Sequence, residues 1–181
     1  MLTTQRLQLR AFTDDDYVNG PAFVLNDPAN HALFSEDLID PITSLSTDEL
    51  RRRVNDDRTY MLYLSITIRS SGELIGCVTA TKPNARSRQS SLAVMISKDH
   101  RWFGCNIEAI QAVIKHCFEV NAIHRVSLSV FANNQVELKH YKELGFIEEG
   151  RRRAVYWKGP GEWEDIVDWG MLDSDYFGKA N

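Results

Sequence analysis

Between Ser90 and Gln111 the chain reads SSLAVMISKDHRWFGCNIEAIQ, an apolar run, a glycine-containing turn and then a helical pattern. Leu92 to Ile96 has the length and apolarity of a buried strand, and Arg101-Trp102-Phe103-Gly104-Cys105-Asn106 opens the helix after a short loop. A strand feeding a helix through a tight turn places the helix N-terminus at the strand's end. The N–H groups of that first turn have no intrahelical partner and carry the positive end of the helix dipole, which suits phosphate binding. Arg101 adds a fixed cation with several donors, and Gly104 lets the backbone approach a ligand with no Cβ in the way. The same residues also describe a plain strand, loop and helix with an incidental arginine.

The flanking text supports an α/β sheet. Leu7 and Leu9 alternate with Arg6, Gln8 and Arg10, the period of a half-buried strand. Thr13-Asp14-Asp15-Asp16 then reads as a helix cap, and nothing more is expected of these aspartates. Ser46-Thr47-Asp48-Glu49 has capping-box spacing ahead of another helix. Leu62, Leu64, Ile66 and Ile68 alternate up to the turn Ser70–Glu73, and Leu74 to Thr81 returns as the second strand of a hairpin. The arginines of the polar loop Lys82–Gln89 read as solvated charges. Ile107, Ile110, Ile114, Cys117 and Phe118 make one stripe on a helix from Cys105 to about Val120. His124 to Val130 alternates again; Asn133-Asn134 can cap a helix from Gln135 to Leu144, which stops at Gly145. Phe146 resumes extended structure, Arg151-Arg152-Arg153 reads as a solvated turn, and Trp163 to Leu172 is a last strand. The expectation is one domain over residues 1–181, with a mixed sheet of six to seven strands and about four helices.

Several classes are disfavoured. A net charge of −4 argues against a general nucleic-acid binder. No apolar run approaches the ~20 residues that cross a bilayer, and the N-terminal residues lack the pattern of a signal peptide. Three scattered cysteines without C-x-x-C spacing speak against disulfides or structural zinc and for a reducing, cytoplasmic setting. His100, His116, His124 and His140 lack partners at metal-ligand spacing, so no metal is expected.

Two ordered motifs carry a family resemblance. Arg101-Trp102-Phe103-Gly104-Cys105-Asn106 resembles the R/Q-x-x-G-x-G/A pyrophosphate loop of the GCN5-related N-acetyltransferases (GNAT). About thirty residues on, Asn134 to Phe146 (NQVELKHYKELGF) resembles their N-x-x-S/A-x-x-x-Y-x-K-L-G-F segment, with Glu137 at the Ser/Ala position. The opening Thr4-Gln5-Arg6-Leu7-Gln8-Leu9-Arg10 is similar to the branch containing ribosomal-protein N-terminal acetyltransferases, as is the strand from Trp163 to Met171.

The resemblance implies acetyl-CoA as acyl donor and a primary amine as acceptor, on a peptide N-terminus or a small molecule. Its second outcome is a GNAT-shaped acyl-CoA-binding or regulatory module without turnover. It implies that backbone groups of Val94, Met95 and Ile96 pair with the pantetheine arm, that an N–H near Met95 faces the thioester oxygen, and that Arg101 with the loop Trp102, Phe103, Gly104, Cys105 and Asn106 holds the pyrophosphate. Tyr141 stands where the family places a general acid, though Leu138, Tyr141 and Leu144 also form a core stripe. Asn134 hydrogen-bonds the cofactor, caps its helix, or both. His31, Glu36, Asp37 and Glu137 are the candidate bases, each expected at the surface. A homodimer is a family expectation. The prediction is that Arg101→Ala weakens acetyl-CoA binding, read as a smaller rise in melting temperature at a fixed ligand concentration; an unchanged rise removes Arg101 from the phosphate site.

Overall fold

The computed structural model describes residues 1–19, 47–55, 58–97, 99–100 and 104–178. Its strands are β1 (Leu2–Thr3), β2 (Leu7–Arg10), β3 (Tyr60–Ile68), β4 (Leu74–Thr81), β5 (Gln89–Ile96), β6 (Arg125–Phe131), β7 (Ile147–Gly159) and β8 (Glu162–Leu172). The described helices are α1 (Asp14–Asn19), α2 (Thr47–Val54), α3 (Cys105–Glu119), α4 (Gln135–Leu144) and α5 (Asp173–Gly178). The eight strands form one sheet in the order β1-β2-β3-β4-β5-β6-β8-β7. The α/β class is as expected. The strand beyond the anticipated six or seven is β1, whose two residues are too few for a periodicity and are strand only because Leu2 and Thr3 pair with Leu9 and Gln8.

Every neighbouring pair is antiparallel except β5 and β6, which run parallel through three pairs, Gln89 with Arg125, Ser90 with Val126 and Ser91 with Ser127. Arg88 pins the near end of this junction. Its guanidinium donates to the Ala122 carbonyl at 3.0 and 2.5 Å, and its own carbonyl accepts from His124 N at 2.8 Å. Arg88 is therefore a strut rather than a solvated loop charge. Beyond Ser91, β5 keeps its antiparallel register with β4 up to Gly76–Ile96, while β6 turns to pair with β8 along its full length. The two parallel strands part, leaving a notch between them.

The core lies between the sheet and α3. Helix α3 buries Ala109, Ile110, Val113, Ile114, Cys117 and Phe118 against Leu7, Leu9, Val78 and Val126, the i, i+3, i+4 stripe of an amphipathic helix. Glu108 fixes its first turn to the N-terminal segment: its carboxylate accepts from Thr4 Oγ1 at 2.5 Å, Arg6 N at 2.8 Å and Arg6 Nε at 2.6 Å. Burial pushes that carboxyl up, and these donors overcome it and hold it below its ordinary value.

Two expectations about charge are corrected. Arg151, Arg152 and Arg153 lie within β7, not in a turn; a bulge at Ala154 (φ 52°) interrupts the strand there, and carboxylates of β8 face the first two, Asp165 at 3.5 Å from Arg151 and Asp168 at 2.9 Å from Arg152. Asp16 does cap α1, accepting from Thr13 N at 2.8 Å, but it is also buried, paired with Arg10 and accepting from Ser65 Oγ at 3.3 Å. Burial raises the Asp16 carboxyl, and the bonds from Arg10 and Thr13 outweigh it and lower it below 3.8. A carboxyl lowered by folding stabilises the native state above its unfolded value, and the gain disappears as pH falls through the folded value. Asp16→Ala, which leaves Arg10 half-buried without its charge partner, is expected to cost about 3 kcal/mol at pH 7. The difference from wild type should shrink below pH 4 in urea titrations; a pH-independent difference would contradict the ion-pair account.

Candidate active site

Of the predicted site residues, the notch between β5 and β6 brings together Val94, Asn134 and Tyr141. A cavity of about 50 Å³ at its base is lined by Leu92 and Val94 of β5, Leu128 and Val130 of β6, and Asn134, Glu137 and Tyr141 of α4. It holds little more than a water or two. Val94 and Ile96 are buried and Met95 is half-buried. Past Ser91, β5 has a ladder partner only on its β4 side, so its other edge is open to an extended ligand.

Gly76 sets how closely β4 approaches that edge. A Cβ on Gly76 would overlap the Met95 carbonyl oxygen and crowd the Ile96 Cα. The demand here is for space.

At Gly104 the demand is conformational. It precedes α3 in the left-handed region (φ 70°), and no described side chain caps the helix behind it. Its carbonyl accepts from Glu108 N, while the amides of the first turn are left without a cap. Cys105 and Asn106 follow, both buried. Burial pushes the Cys105 thiol up although Arg6 opposes it, so the group is a packed, protonated thiol. Asn106 donates Nδ2 to Glu137 Oε1 at 3.3 Å, and its buried Oδ1 has no partner among the described residues. Arg101, Trp102 and Phe103 lie outside the described residues, as do the candidate bases His31, Glu36 and Asp37.

On α4 the sequence signals hold residue for residue. Asn134 Oδ1 accepts from Glu137 N at 3.3 Å as the N-cap, and Gly145 ends the helix in the left-handed region at φ 98°. Asn134 thus caps the helix and also lines the notch. Tyr141 is buried, its ring tilted 69° to Phe146 at 5.8 Å between centroids. The core-stripe reading holds, and the same residue also borders the cavity. Glu137 is the residue that sequence reasoning placed wrongly. Expected at the surface, it is half-buried and lines the notch, one turn before Tyr141. Its position at the family's Ser/Ala site was the available signal.

Among the described residues, an open strand edge, uncapped amides at α3 and an unpartnered buried carbonyl oxygen on Asn106 fit an extended ligand with amide groups and a diphosphate. A profile of the family described as Acetyltransferase (GNAT) domain matches residues 6–147. The chain belongs to the GNAT family. Spermidine N(1)-acetyltransferase of Vibrio cholerae is 25% identical over 107 residues, 59% of this chain and 61% of that enzyme, so the match spans less than two thirds of the relative. The uncharacterized N-acetyltransferase p20 of Bacillus licheniformis is 24% identical over 186 residues and 98% of both chains. The crystal structure of the Vibrio cholerae spermidine N-acetyltransferase with CoA and spermine superposes with a TM-score of 0.79 at 22% identity, over 96% of this GNAT chain and 99% of that one. These relatives are spermidine enzymes or uncharacterized; none of them belongs by name to the ribosomal-protein branch that the opening motif resembles. No helix among the described residues is long and apolar enough to cross a membrane. No described cluster of His, Cys, Asp and Glu could hold a metal.

A larger groove of about 700 Å³ runs between Met1–Arg6 and the outer face of α3, past Lys115 and His116, and neither Tyr141 nor β5 lines it. Gly76→Ala should separate the two cavities. It is expected to cost about 1–3 kcal/mol by overpacking β4 against β5 and to reduce the thermal stabilisation by acetyl-CoA; full stabilisation in the variant would place the ligand away from β5.

Proposed function

We propose that this GNAT enzyme acetylates a primary amine of a small polyamine-class acceptor, with Tyr141 as the proton donor to the departing thiolate. The observation that carries this is the parting of β5 from β6 with Tyr141 beside the gap: an extended donor along β5 ends where the phenol is. Acetyl-CoA supplies the acetyl group as an activated thioester. Backbone groups of Val94, Met95 and Ile96 align its pantetheine arm, and the amides of Gly104, Cys105 and Asn106 with Arg101, Trp102 and Phe103 form the diphosphate cradle. Asn134 borders the arm from α4. Tyr141 gives its phenolic proton to the sulfur as the C–S bond breaks, and the proton shed by the new amide nitrogen restores it.

Burial first, and Glu137 second, push the Tyr141 phenol well above 10.0, so it carries its proton at every physiological pH. The acceptor class rests on the spermidine enzymes among the relatives and on the chain's net negative charge, which favours polycations. Three buried free cysteines accord with a reducing, cytoplasmic setting.

Release of CoA thiol across a panel of spermidine, spermine, a peptide N-terminus and an amine antibiotic tests the acceptor. Turnover with the polyamines is expected; turnover with the peptide alone would move the enzyme to the other acceptor class. Tyr141→Phe should lower kcat about 10²-fold with little change in acetyl-CoA affinity, and an unchanged kcat would remove it from the acid role.

A further inference from the structure

Glu137 is a carboxylate at a position where the family resemblance calls for a small Ser or Ala, and it points into the transfer site. Three observations fix it there. It lies on the same face of α4 as Tyr141, one turn nearer the N-terminus, and residues so spaced are neighbours. Both line the same cavity at the base of the notch. Asn106 reaches across from α3 to hold Oε1 at 3.3 Å, so the carboxylate is tethered from a second helix. The dipole at α4's N-terminus favours a negative charge in this first turn.

We propose that Glu137 is a positioning residue of the transfer step: its carboxylate, tethered by Asn106 one helical turn from Tyr141 in the same notch, opposes loss of the phenolic proton before the thiolate departs. The inference rests on the acetyl-transfer reading for its consequence, not for its geometry. A primary amine and an ordinary tyrosine lose their protons at nearly the same pH, about 10. A site that needs the amine neutral and the phenol protonated must therefore drive the two apart. Burial drives them apart, because it disfavours both the ammonium and the phenolate, and the carboxylate one helical turn from the phenol opposes the phenolate further.

No other described group facing Tyr141 opposes that effect. β5 contributes Leu92, Ala93 and Val94, α3 contributes Ile110, and the β6 stretch 128–131 is apolar but for Ser129, whose hydroxyl is bonded to Asp168 at 2.6 Å. Asp168 is in turn paired with Arg152, so its charge is matched. His140 and Lys142 adjoin Tyr141 in sequence but project about 100° to either side of its face.

The test is the ionisation of Tyr141 in the ligand-free protein carrying ¹³C-labelled tyrosine, its signal assigned by its loss in Tyr141→Phe. In Glu137→Gln, which removes the charge and keeps the shape, the midpoint should fall by about one pH unit, and the alkaline limb of kcat should move with it. Glu137→Asp should stay near wild type. If Glu137→Gln does not fold, Glu137→Ser gives the same comparison. A Tyr141 signal that behaves in the charge-free variant as in wild type, whether both titrate or neither does, overturns the inference. A shifted midpoint in a protein that acetylates no amine would instead count against the transfer reading.

Discussion

The structure depends on β5 and β6 running parallel for three residue pairs and then separating. Parallel strands need a crossover between them, and here the crossover contains α3, whose first turn is consequently placed beside the end of β5. Separation requires each strand to find its remaining hydrogen bonds elsewhere. β5 obtains them from β4 and β6 from β8, so one edge of β5 is left open without unravelling the sheet. Arg88 secures the joined end through the Ala122 carbonyl, and Gly76 permits the close approach of β4 at the separated end. The cleft is thus a consequence of strand pairing, and the ligand-facing groups are largely backbone.

Around that junction the charged side chains divide into two kinds. Glu108 and Asp16 accept several donors each and tie the N-terminal segment to α3 and β2 to α1, which fixes elements relative to one another. The pairs along β7 and β8 are more exposed and cross-strand, worth a few tenths to about 1 kcal/mol each. Glu137 belongs to neither group. Its carboxylate is held by an amide whose own oxygen is buried without a partner among the described residues, and it lines the notch.

Much of this was legible in the residues because the signals were local. Asn134 and Gly145 mark the ends of α4, the α3 stripe follows a helical period, and the Ser70–Glu73 turn predicts the β3–β4 hairpin; each depends on contacts within a few residues. The failures were all non-local. β1 is a strand only through its partner, Arg151 and Arg152 are ordered by carboxylates on β8, and Arg88 finds its acceptor 34 residues away. Glu137 was misplaced for the same reason. Its spacing with Tyr141 could be read, but that their shared face borders the β5–β6 gap depends on the sheet order.

The central claim is that the acyl donor lies along the open edge of β5. Amide hydrogen exchange, with and without acetyl-CoA, tests it most directly because the protected backbone groups report where the ligand lies. The account predicts slowed exchange at Val94, Met95, Ile96 and the first turn of α3, with Leu2 to Arg6 unchanged. Protection along Leu2–Arg6 and the outer face of α3, with β5 unaffected, would contradict it.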